Sequence, residues 1–97
     1  MRERLIMKVE IRAKRAFEAL KKIGAPVHHL GEGWSGNALF SISGESNYPE
    51  MWADYYNEYQ LSFLDDFGVN EKINKVLKKY NLCAEWYNPG VLEVYEG

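Results

Sequence analysis

The chain has 97 residues, 46% of them apolar and 27% charged, with a net charge of −2. That length allows one domain with a single modest core, and the aromatic content is too high for a disordered segment. No apolar run approaches the ~18 residues that a membrane-spanning helix requires.

The opening "MRERLIMKVEIR" alternates charge with apolar residues, which is not the pattern of a secretory signal, and Met7 stands beside Met1 as a candidate start. A lone Cys83 cannot form an internal disulfide, so a reducing compartment, the cytoplasm, is the expectation. Charge is unevenly spread. Residues 1–22 carry eight basic and three acidic side chains, whereas residues 23–71 carry eight acids and neither lysine nor arginine. Residues 72–97 return to +1. Segregation of this kind bears on partners rather than on fold.

The first element reads as a helix over residues 3–23. Leu5, Ile6, Val9, Ala13, Ala16, Phe17, Leu20 and Ile23 share one face at ~100° per residue, and Arg4, Lys8, Arg12, Arg15 and Lys22 share another. Met7 and Ile11 fall off the main apolar face. Gly24 suits a left-handed stop, and Pro26 forbids continuation. "PVHHLG" and "NALFSIS", flanking "EGWSG", read as a β-hairpin.

The segment "SNYPEMWADYYNEYQ" follows. Pro49 suits the first position of a helix, with Ser46 or Asn47 as cap partners. Trp52, Tyr55, Tyr56 and Tyr59 then recur at i, i+3, i+4 and i+7, so an aromatic-rich helix is predicted, with a break near residue 60. Its other side would carry Glu50, Asp54 and Glu58 one turn apart. Trp52 and Tyr56 are expected to point inward, with Tyr48, Tyr55 and Tyr59 bordering the acidic side.

Gly68 interrupts the chain, and Asn70 is placed to cap a helix over residues 71–80. Ile73, Val76, Leu77 and Tyr80 form its apolar face, with Lys72, Lys75, Lys78 and Lys79 toward water. Asn81 suits the left-handed position after it. "LCAEWY" and "VLEVYE" are strands joined by "NPG", a pair typical of a type II turn.

The fold class is therefore α+β, in the order αββ–α–αββ. A four-stranded, mostly antiparallel sheet would be packed by two long helices, with the aromatic helix between the halves. "LKKIGAPVHHL" and "LKKYNLCAEWY" align, as do "LFSI" and "VLEV". A single domain over residues 1–97 would then contain an αββ repeat, about 8–43 and 70–96, around an acidic aromatic insert at 45–68.

Catalytic signatures fail on context. "GEGWSG" matches a dinucleotide-binding glycine pattern, but a strand follows where a helix N-terminus must meet the pyrophosphate. "DFG" at Asp66–Gly68 has no kinase catalytic loop, and no lysine follows on the strand after the glycine loop. Adjacent His28 and His29 on a strand point to opposite faces, and Cys83 has no zinc-ligand spacing around it, so neither metal nor cofactor is expected.

Three functions remain. The leading one is a small non-catalytic interaction module, a regulator or inhibitor in the style of those encoded by phages and mobile elements. It would dock Tyr48, Glu50, Trp52, Asp54, Tyr55, Glu58 and Tyr59 onto another protein with a basic surface, a nucleic-acid-binding protein being the obvious case. The first alternative is nucleic-acid binding through Arg4, Lys8, Arg12, Arg15 and Lys22, with Trp34, Trp86 and Tyr87 for stacking. The second is a small enzyme using His28 or His29 with Cys83 and Glu85. A homodimer is compatible with each, and a membrane partner with none.

Overall fold

The computed structural model describes residues 7–31, 37–45, 50–58 and 60–97. Helix α1 spans Val9–Lys22, strand β1 Val27–His28, β2 Phe40–Ser43, helix α2 Glu71–Lys79, β3 Leu82–Asn88 and β4 Val91–Glu96. The result is a small α+β domain with two helices and a four-stranded sheet in the order β1-β2-β4-β3, every neighbouring pair antiparallel.

α1 is shorter than the apolar spacing suggests. Lys8 is extended, at φ −60° and ψ 150°, and acts as the N-terminal boundary. Residues 3–6 lie outside the described residues. Ala13, Ala16 and Leu20 are buried, whereas Ile11 is exposed. Glu10 in the first turn and Lys21 and Lys22 in the last complement the helix dipole. Gly24, at φ +95°, donates its N–H to the Lys21 carbonyl and ends the helix.

α2, nine residues long, repeats this logic. The Asn70 side chain accepts from the Lys72 N–H at 2.9 Å, which satisfies an otherwise unpaired donor. Ile73 and Leu77 are buried, and Asn81 takes the left-handed position at φ +57°.

Core residues of the sheet face both helices. Phe40, Ile42, Leu92 and Val94 pack with Ala16, Leu20, Ile73, Leu77 and Trp52 in one cluster. Phe17 meets Phe40 edge-on, with ring centroids 5.5 Å apart. Each large side chain sealed this way contributes about 1.5–3 kcal/mol. The central pairing is symmetric in register: Phe40 opposes Val94 and Ile42 opposes Leu92, about the Ser41–Glu93 pair.

Two turn expectations change. His29 is left-handed at φ +60°, so β1 stops after two residues. The second hairpin does not use a type II turn, because Gly90 lies outside the positive-φ glycines; the Asn88 side chain accepts the Gly90 N–H at 2.8 Å instead.

The larger correction concerns the middle of the chain. No helix forms among residues 50–58, and the expected stripe therefore does not exist. Trp52–Asp54 runs antiparallel to Gly68–Asn70: the Asp54 N–H donates to the Gly68 carbonyl at 2.7 Å, and the Asn70 N–H to the Trp52 carbonyl at 2.9 Å. These partners lie far along the chain and outcompete i→i−4 bonds. The Asp54 carboxylate further accepts the Tyr56 N–H at 3.2 Å, a local turn that competes with helix. Asn57 and Gln60 are left-handed, at φ +45° and +48°, which no α-helix accommodates. Pro49 and its candidate caps Ser46 and Asn47 lie outside the described residues. No helix among the described residues is long and apolar enough to cross a membrane.

Candidate partner-binding surface

Three buried or half-buried polar groups hold the middle segment in shape. Asn70, 1% exposed, donates its amide to the Met51 carbonyl at 2.9 Å while capping α2. The Asp65 carboxylate accepts the Phe67 and Val69 N–H groups at 2.8 and 3.0 Å through one oxygen. Its other oxygen accepts the Asn74 amide at 2.8 Å. Gly68 is held at φ +83°, and a Cβ there would sit on the Asp54 carbonyl oxygen. Only glycine fits this close approach.

This scaffold turns Trp52 in and its neighbours out. Trp52 is 4% exposed, with the Lys72 ammonium 5.7 Å from its ring. Lys72 also pairs with Glu50 at 2.8 Å. Tyr55 lies edge-on to Trp86 at 5.4 Å and to Tyr56 at 5.2 Å. The Trp86 indole N–H donates to the Phe67 carbonyl at 2.7 Å, so three separate chain segments bring their rings to one place. Tyr56 and Phe67 are each 73% exposed. Rings that protrude this far add little to the core and offer large contact area with little entropy to lose.

Beside them lies a groove of 420 Å³, between Asp65, Phe67 and Asn74 on one wall and Ala84, Glu85 and Trp86 on the other. Asp65 and Glu85 line this groove, Asp66 precedes Phe67 in the turn, and Asp54 pairs with Gly68 just after it. Among the described residues none of these carboxylates has an ion-pair partner; the ion pairs are Arg12–Glu96 and Lys72–Glu50. An arginine or lysine brought to such a place gains both carboxylates and ring faces.

Of the sequence candidates, Asp54 and Tyr55 lie beside Gly68 and Trp86, and Glu58 is exposed a few residues further on. Glu50 is turned to Lys72 and Trp52 to the core, while Tyr48 and Tyr59 lie outside the described residues. Tyr56, expected to point inward, is among the most exposed rings. Phe67 was not singled out; the Asp-x-Phe-Gly spacing that builds its turn is the signal that marks it. Trp86 was assigned only to the stacking alternative, since nothing local shows that a strand tryptophan meets a loop nineteen residues away.

The basic helix is partly dismantled as a site. Arg12 donates to the Met7, Tyr80 and Asn81 carbonyls at 3.1–3.2 Å and pairs with Glu96 at 2.7 Å, its side chain 13% exposed. It ties α1 to the C-terminal end of α2 and is not available to phosphate. Lys8, Arg15 and Lys22 are exposed, and Arg4 and Trp34 lie outside the described residues.

His28 and Cys83 are not brought together. His28 on β1 and Cys83 on β3 are separated by two strands, about 14 Å at ~4.8 Å per strand spacing. Both histidines are exposed, with ring centroids 6.0 Å apart. No group of three or more metal-ligating side chains comes together among the described residues. One polar group escaped the sequence reading: Glu93, fully buried at the centre of the sheet, accepts the Tyr95 hydroxyl at 2.7 Å. Alternation alone placed it on the face away from the helices, where solvent is the default. No protein-family model, curated protein or solved structure matches the chain, and its own geometry is the guide to function.

Proposed function

We propose that the protein is a non-catalytic interaction module, a regulator or inhibitor that docks Asp54, Tyr55, Tyr56, Glu58, Phe67 and Trp86 onto a basic surface of another protein. The observation that carries this reading is the gathering of the exposed Tyr55, Tyr56 and Phe67 around the half-buried Trp86, beside carboxylates that have no cationic partner among the described residues. Burying Tyr56 and Phe67 at an interface fits the composition of recognition hot spots. The surrounding carboxylates select cationic partners and speed encounter. A nucleic-acid-binding protein, whose own surface is built for phosphate, is the class whose charge fits best.

Two further parts of the reading go with this. The exposed Cys83 remains a thiol in the cytoplasm, where the module would act. The units at 8–43 and 70–96 are copies of one αββ element; the strand order, with the second strand of each unit central and the first at an edge, and the paired left-handed stops at Gly24 and Asn81 support it.

The test is affinity capture from the native host, followed by binding of the purified captured protein. Reversing Asp54, Glu58 and Asp66 to lysine is expected to abolish the interaction, while neutralising Lys8, Arg15 and Lys22 leaves it intact. Undiminished binding by the acid-reversed variant contradicts the proposal. A mobility shift with nucleic acid that the basic variant loses would favour the first alternative.

A further inference from the structure

The groove beside Trp86 has an apolar base and one polar corner. Ala84 and Trp86 line it from β3, and Val69 and Leu92, both buried, close it beneath. Phe67 adds an aromatic wall that meets solvent. The volume, 420 Å³, lies in the range of ligand pockets.

Asp65 and Asn74, both half-buried, make the polar corner. One Asp65 oxygen, Oδ1, already accepts the Phe67 and Val69 N–H groups, while Oδ2 accepts only the Asn74 amide at 2.8 Å. A carboxylate oxygen can take two donors, so Oδ2 keeps one position open. The Asn74 amide nitrogen is spent on this bond, and its oxygen accepts no hydrogen bond from the described residues. Two neighbouring acceptors therefore await donors. Strand alternation turns the Glu85 side chain to the opposite face of the sheet, which leaves Asp65 as the carboxylate of this groove.

Charge and shape decide the occupant. Neither lysine nor arginine lines the groove. Lys75 and Lys78 line a separate cleft past Asn74, and the described ion pairs leave Asp65 without a cation. A lysine ammonium is a compact, strongly hydrated charge, whereas a guanidinium is planar, weakly hydrated and carries forked donors that suit adjacent acceptors. Its methylene stem can cover the apolar base, and its plane can stack on a ring. We propose that this groove seats one arginine side chain of the partner, with the guanidinium donating to Asp65 Oδ2 and the Asn74 amide oxygen beside the Phe67 ring. This rests on the interaction reading above and names the side chain that the partner inserts.

The experiment uses the full chain, labelled with nitrogen-15, and N-acetyl-arginine methylamide as the probe. It is titrated to about 50 mM, above the millimolar range that a ligand of this size reaches. Saturable shifts of the Trp86 indole N–H and the Asn74 side-chain amide are expected. The citrulline analogue, a neutral isostere, and the lysine analogue should each bind at least about tenfold more weakly. Phe67→Ala should weaken the arginine probe several-fold in a folded protein, since the ring is exposed and the carbonyl that holds Trp86 is kept. Asp65→Asn keeps an oxygen for the Phe67 and Val69 N–H groups and should weaken the probe about tenfold. Glu85→Gln should leave it unchanged. Saturating arginine probe, but not an equal concentration of the lysine probe, should displace the captured partner.

An absence of saturable shifts, equal binding by citrulline, or indifference to Phe67→Ala overturns the arginine seat. Failure to displace the partner overturns its assignment to a partner side chain. The interaction reading has a separate readout. Partner binding that is lost on reversal of Asp54, Glu58 and Asp66 upholds that reading whatever the groove does, and undiminished binding removes both.

Discussion

Asn70 joins two tasks that a pair of substitutions can separate. Its side-chain oxygen caps α2 through the Lys72 N–H, and its amide nitrogen clasps the Met51 carbonyl at the entry to the candidate surface. Asn70→Ala removes both. Loss of the cap costs about 1 kcal/mol. Leaving the Met51 carbonyl short of its donor in a site that is 1% exposed costs a further ~1–3 kcal/mol. The expected total is about 3 kcal/mol, a large share of a stability of roughly 5–15 kcal/mol. With a urea m-value of about 1.5 kcal/mol per M, the unfolding midpoint should fall by about 2 M. Asn70→Ser retains a capping oxygen but cannot reach Met51, so it should recover only the cap, about 1 kcal/mol. Urea titrations followed by circular dichroism and by tryptophan fluorescence measure both. Midpoints of Asn70→Ala within about 0.5 kcal/mol of wild type would refute the clasp, and full rescue by serine would reduce Asn70 to a cap alone.

Other outcomes follow from the same contacts. Gly68→Ala should cost more than the ~1 kcal/mol of a left-handed alanine, because its Cβ meets the Asp54 carbonyl; thermal unfolding with proton spectra of the Tyr55 and Tyr56 rings would report the displaced loop. Arg12→Met should lower stability by roughly 2–3 kcal/mol, because the Tyr80 and Asn81 carbonyls and Glu96 lose a charged donor; a chemical melt reads it. Tyr95→Phe, which removes a donor to the buried Glu93 carboxylate, should cost about 1–3 kcal/mol in the same assay.

How far the sequence could be read depends on the range of the interactions. The helices were legible because their signals are local. Ala13, Ala16 and Leu20 recur at helical spacing, Asn70 precedes its helix as a cap, and Gly24 and Asn81 stand where left-handed stops belong. The runs that hold Phe40, Ile42, Leu92 and Val94 were likewise legible as strands, and these four residues lie in the core. The middle segment failed for the opposite reason. Its i, i+3, i+4, i+7 rings satisfy a helix template, yet only Trp52 of the described ones is buried. Its backbone bonds instead go to Gly68 and Asn70, partners no local window contains. Arg12 looked like one cation in a basic row because its acceptors on Tyr80, Asn81 and Glu96 lie 68 residues or more along the chain. The candidate surface was thus half legible: the acidic, ring-bearing stretch supplied Asp54 and Tyr55, and tertiary pairing supplied Phe67 and Trp86.

The most direct trial removes protruding rings that the fold does not need. A Tyr56→Ala, Phe67→Ala double variant should melt within a few degrees of wild type, since both side chains are 73% exposed. Its affinity for the captured partner, measured by calorimetry, should fall by about a hundredfold or more, two hot-spot truncations of at least ~1–2 kcal/mol each. An unchanged dissociation constant in a variant of unchanged stability would mean that the partner meets this molecule somewhere else.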